Sequence, residues 1–299
     1  MVYPGPVHQI VNIIGPTFFA VLVGYLFGRV TKAKMAVLID ISMYVAVPAM
    51  AFHSMITSKI VFADATKLWA ASLIIMVGNL VLALALFGAL RQKHSGLYLP
   101  IVFTNYVNIP LPIIFLAFGS TGAALAILMY IPQGLILNSL GVYVASGEKD
   151  MKQGLLVMLK TPLMYAAVLG LALNLAHVPI PTVVVGSVDL LGKAGVPLML
   201  LILGVSIGRF RFKQIPLTLA ASVLRVGGGF AFGILCVWLL GLVDVNRAVV
   251  LFEASMPSAV FVSVLAAKYK NEEELVSSVV LATTLMAIPV IPALLYFLT

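Results

Sequence analysis

The sequence predicts an all-α membrane fold: ten transmembrane helices in two inverted five-helix repeats, with crossing helices 4 and 9 broken. Three observations carry this expectation. Charges are too few for a solvated surface, basic residues gather in alternate connections, and an Asp–Pro pattern recurs half a chain apart.

Of 299 residues, 62% are hydrophobic and 9% are charged, and the mean hydropathy is +1.15. A soluble domain carries about 25% charged residues. So few charges cannot clothe a globular surface, whereas a bilayer lets apolar side chains face lipid. Apolar runs between polar punctuation give ten intervals: 8–28, 35–57, 66–90, 97–118, 121–146, 153–176, 182–208, 214–240, 245–267 and 273–298. The connections are short, with no linker or soluble domain, so 1–299 reads as one integral membrane unit. The first apolar stretch lacks a basic leader and is too long for a cleavable signal. Cys236 is the single cysteine, and the scattered histidines suggest no metal site.

The net charge of +8 would suit nucleic acid if it formed a patch. It does not. Twelve basic residues lie in the odd-to-even connections: Arg29, Lys32, Lys34, Arg91, Lys93, Lys149, Lys152, Arg209, Arg211, Lys213, Lys268 and Lys270. Three lie in the alternate set: Lys59, Lys67 and Arg247. That asymmetry is the positive-inside signature. It makes the lipid bilayer the partner, excludes nucleic acid, and puts both termini outside the cytoplasm of a cell inner (plasma) membrane protein. Lys160, near a cytoplasmic loop, is expected to snorkel.

Span 2 contains Asp40 to Met50, DISMYVAVPAM, and span 7 contains Asp189 to Met199, DLLGKAGVPLM. Asp precedes Pro by eight residues in both, Val-Pro-x-Met recurs, and the offset is 149 residues. The chain therefore divides into repeats 1–150 and 151–299. Five spans per repeat force opposite orientations, the architecture of many alternating-access transporters.

Spans 4 and 9 are each interrupted by proline, at Pro110 and Pro112 and at Pro257. Proline removes a backbone donor, and the freed carbonyls must be buried in protein or face a cavity. Interrupted segments at equivalent places point to a transporter's binding site. The polar neighbours are Thr104, Asn105, Tyr106 and Asn108 in span 4, and Glu253, Ser255 and Ser258 around Met256 in span 9. Amides donate and accept, and half-helix N-termini present free N–H groups, which favours an anion. Glu253 is the coupling-ion candidate, with Thr104 and Asn138 as further ion ligands. A bland alternative pairs Glu253 with Arg225 in span 8. Asp189 and Lys193, four residues apart, can neutralise each other. Asp40 lies nearer the inner end of span 2. His53 and His177 are expected near the outer ends of their spans. Gly24 and Gly28 have the small-xxx-small spacing of close helix packing, within the chain or in a homodimer.

These residues resemble the auxin efflux carrier family, including its bacterial members, over nearly the whole chain. The matching motifs are Asn105, Pro112 and Gly119 at intervals of seven; Pro197-Leu198 followed by Gly204 to Gly208, GVSIG; and Met256 to Tyr269, MPSAVFVSVLAAKY. Asn108 and Pro110 depart from the glycines that many members carry. The resemblance implies scaffold helices 1, 2, 6 and 7 and transport helices 3–5 and 8–10, shared with bile acid:sodium symporters and sodium–proton antiporters. It also implies small organic anion substrates such as malonate and malate, and a homodimer through scaffold helices. In the bile acid group a Glu before the span 9 break helps bind sodium, and Glu253 stands in a similar place. The expected function is proton- or sodium-coupled secondary transport of a small carboxylate or auxin-like acid, by elevator-type alternating access. No cofactor is expected beyond that ion. A channel or ligand sensor on the same fold is the alternative. An intramembrane enzyme is disfavoured: the chain has no Gly-x-Gly-Asp or His-Glu-x-x-His, and Cys236 has no evident base.

Overall fold

The computed structural model describes residues 6–31, 36–59, 62–89, 94–146, 162–207 and 212–298. Lys160 and most of the basic loop residues lie outside these. The described residues are helical, with no strand and one isolated bridge between Thr104 and Ser258.

The helices are α1 (Pro6–Val30), α2 (Ala36–Ile41), α3 (Val47–Thr57), α4 (Phe62–Ala89), α5 (Tyr98–Val102), α6 (Pro110–Ile136) and α7 (Val142–Ser146). The second half adds α8 (Pro162–Leu175), α9 (Thr182–Gly192), α10 (Gly195–Ile207), α11 (Ile215–Val223), α12 (Gly229–Leu240), α13 (Asp244–Ala254), α14 (Val260–Tyr269) and α15 (Glu273–Leu298). Three π-helical turns join neighbours: Ser42–Ala46, Leu137–Gly141 and Leu224–Gly228. Such bulges cluster at functional sites. Two of these hold the predicted site residues Asn138 and Arg225.

Among the described residues six helical stretches are long and apolar enough to cross a membrane: Val37–Thr57, Phe62–Gly88, Pro110–Ser146, Thr182–Val205, Ile215–Leu240 and Glu273–Leu298. Gly15–Val30, Pro162–Leu175 and Val260–Tyr269 are apolar but shorter. The difference from the ten predicted intervals has local causes. Breaks shorten the helical runs in intervals 4 and 9. Intervals 1 and 6 adjoin undescribed residues. Pro110–Ser146 runs across a sharp kink at Gly119, where φ is 65° and ψ is −158°, a conformation open essentially to glycine. That kink falls in the gap between predicted intervals 4 and 5.

Packing separates two groups. α1 lies along α10, and α3 lies against α8 and α9. α4 packs on α6 and α12, α12 on α13, α11 on α15, and α6 on α13. α3 also touches α6, joining the groups through the main buried cluster. α9 shows wide apolar surface at Val183 and Leu190, as a lipid-facing helix does. The Gly24 stripe is used inside the chain: Gly24 abuts the backbone of Leu201, and Gly28 abuts Val205.

Candidate functional site

The two broken segments meet in the protein interior. After α5 the chain leaves helical geometry at Phe103 and resumes it at Pro110; after α13 it leaves at Ser255 and resumes at Val260. Each interruption frees backbone groups where water is scarce, so they must pair. They pair with one another, as an antiparallel contact. Asn105 N donates to Pro257 O at 2.8 Å, and Ala259 N donates to Phe103 O at 2.8 Å. Ser258 Oγ donates to Pro100 O at 2.5 Å.

Two residues that sequence reasoning missed fasten this crossing. The buried Gln133 amide clamps the backbone of one residue: Oε1 accepts from Thr104 N at 3.0 Å, and Nε2 donates to Thr104 O at 2.6 Å. Thr283 Oγ1 accepts from Ser258 N at 3.2 Å and lies 2.8 Å from Val279 O. Gln133 and Thr283 stand 150 residues apart, close to the repeat offset. A search for polar residues of spans 5 and 10 at that offset would have found them.

Arg225 is the third fastener, and the alternative in which it pairs with Glu253 is not seen: no ion pair joins them. Its side chain is wholly buried. Nη1 donates to Ile101 O at 3.1 Å, Nη2 to Ala254 O at 2.7 Å, and Nε reaches Met256 O at 3.4 Å. The guanidinium thus touches the ends of α5 and α13. α12 approaches closely because Gly229 carries no side chain; a Cβ there would stand 2.0 Å from Ala254 O.

Glu253 is fully buried, and neither carboxylate oxygen has a hydrogen-bond partner. Asn105 Nδ2 and both amide atoms of Asn79 are likewise buried and unpartnered. Tyr106 is buried beside Ser72 and Thr104, within electrostatic reach of Arg225 and Glu253. Buried polar atoms in native proteins are nearly always satisfied, so such a concentration calls for further partners, be they water, an ion or another ligand. Ser72 and Asn79, seven residues apart on α4, were also missed; polarity at helical spacing inside an apolar span was the available signal.

The remaining predicted residues divide. Asn108 is half-buried, and its N–H donates to Asn105 Oδ1 at 2.9 Å. Pro110 and Pro112 are buried in the first turn of α6, where a missing N–H costs nothing. Met256 and Pro257 are buried in the second break, and Ser255 Oγ donates to Leu251 O at 2.8 Å. Asn138 Nδ2 donates to Gly134 O at 2.8 Å, so one donor serves its own helix. Asp40 is exposed. Asp189 meets Lys193 at 2.6 Å and His53 at 3.9 Å, on a partly exposed surface away from the crossing. No cluster of metal ligands occurs among the described residues. Gly204 to Gly208 also spells Gly-x-Ser-x-Gly, but it begins inside α10 with no preceding strand, so it lacks the strand-to-helix turn of a nucleophile elbow.

Residues 148–295 match the family model described as membrane transport protein. The match covers the second half of the chain, which is similar to this family. An uncharacterized transporter of Methanothermobacter thermautotrophicus is 27% identical, covering 98% of this chain and 98% of its own. An uncharacterized transporter of Methanocaldococcus jannaschii is 27% identical, covering 91% of this chain and 93% of its own. The family match and both relatives point to a multi-pass membrane transporter rather than an enzyme, in agreement with the resemblance, whose Met256 motif lies within the matched residues.

Proposed function

We propose that this chain crosses the cytoplasmic membrane ten times, with both termini outside, and carries a small organic anion by secondary active transport. The observation that carries this reading is the crossing itself: two paired helix breaks beside a buried, unpartnered carboxylate and amide. The N-termini of α6 and α14 turn their positive dipole ends toward the breaks. Asn105, with Tyr106 and Asn108, forms the substrate side, and Glu253 takes up the coupling cation, a proton or sodium. Predicted spans 3–5 and 8–10 move as the elevator against spans 1, 2, 6 and 7. A homodimer would use exposed scaffold faces such as that of α9, since the Gly24 stripe is already filled.

Uptake into proteoliposomes tests this. Saturable flux of a small carboxylate driven by an ion gradient is expected, and Asn105→Ala abolishes it in protein that keeps its unfolding temperature. Glu253→Gln is expected to remove the dependence of flux on pH or sodium. Binding without flux would identify a sensor, and flux that neither saturates nor follows a gradient would identify a channel.

A further inference from the structure

The ends of α5 and α13 present backbone carbonyls at the crossing, and aligned peptide dipoles leave partial negative charge there. In transporters with discontinuous helices, such carbonyls coordinate the coupling cation. Here the carbonyls of Ile101, Ala254 and Met256 already have a positive partner, the Arg225 guanidinium. Among the described residues no carboxylate pairs with it, and its side chain is sealed from solvent. A buried guanidinium without an anion is unfavourable unless dipoles replace the counter-charge. Three carbonyls, drawn from both breaks, supply that replacement.

We propose that Arg225 is a tethered cation standing where a coupling metal ion would otherwise bind, so that the crossing is held together without sodium and the proton is left as the ion Glu253 exchanges. A diffusible ion leaves in each cycle and exposes the carbonyls it held. A side-chain cation stays, so the two breaks remain joined in every state. A hard metal ion at Glu253 would need several oxygen ligands, and three of the carbonyls nearest the breaks are committed to Arg225. A proton needs a single carboxylate oxygen. The assignment of the proton rests on the transport reading above; the role of Arg225 does not, and it can be tested without flux.

The test is thermal unfolding of the purified full-length protein in sodium, potassium and choline chloride at equal ionic strength. The native protein is expected to unfold at one temperature in all three. Arg225→Ala is expected to unfold lower, by on the order of 5 °C, and to recover on addition of millimolar guanidinium. Arg225→Lys keeps the charge and is expected to remain indifferent to sodium, which keeps the test open if the alanine variant does not fold. Selective stabilisation of the native protein by sodium would overturn the proposal. So would an alanine variant that unfolds at the native temperature, or one that neither guanidinium nor sodium restores. In proteoliposomes, uptake driven by a pH gradient in sodium-free buffer is expected. Failure of all flux in every cation would count against the transport reading and leave the thermal series to judge Arg225.

Discussion

The two breaks solve one problem by different means. The first spans seven residues, Phe103 to Ile109, and the second five, Ser255 to Ala259. The first carries amides, Asn105 and Asn108, and is clamped by an amide, Gln133, through the N–H and C=O of one residue, Thr104. The second follows the only buried carboxylate among the described residues, Glu253, and is held by hydroxyls, Ser258 and Thr283. An amide donates and accepts at fixed geometry, so it can satisfy both backbone groups of one residue; a hydroxyl has one proton and satisfies less. The lesson is a division of labour. The longer break is lined by neutral donors and acceptors, and the shorter follows a charge; under the proposed function the first would face the substrate and the second the ion.

The asymmetry between the two breaks should show most strongly at Gln133. Gln133→Leu orphans a buried N–H and a buried C=O, each costing about 1–3 kcal/mol, so a loss of about 3 kcal/mol is expected in reversible denaturation. Ser258→Ala removes the bond to Pro100 O and is expected to lower stability by about 1–2 kcal/mol. Thr283→Val is expected to be milder, about 1 kcal/mol, because Ser258 N–H loses a longer bond. If Thr283→Val proves as damaging as Gln133→Leu, the asymmetry between the breaks is not energetic. Glu253→Gln should change stability least, since the carboxylate has no hydrogen bond to lose, while flux measurements should register the largest change in ion dependence.

Much of the site was legible because proline and buried charge leave marks in sequence. Pro110, Pro112 and Pro257 located both breaks, since no lipid-exposed helix tolerates such interruptions without partners. Gly119 was read only as part of a motif, and its conformation proves to be the kink between intervals 4 and 5. Arg225 was visible as an intramembrane cation, but its carbonyl partners were not. Charge pairing is the natural guess from a list of residues, but backbone carbonyls have no sequence signature. Gln133, Thr283, Ser72 and Asn79 were overlooked because single polar residues in apolar spans are common and their targets lie on other helices.

The sequence by itself determined the solvent of this protein and the places where its helices must fail, because hydropathy and proline act locally. Which broken ends face each other, and that Arg225 touches both through backbone carbonyls, follows only from the tertiary structure. Those contacts link residues up to 158 positions apart, as between Ser258 and Pro100, and their partners are mostly peptide groups that every residue possesses.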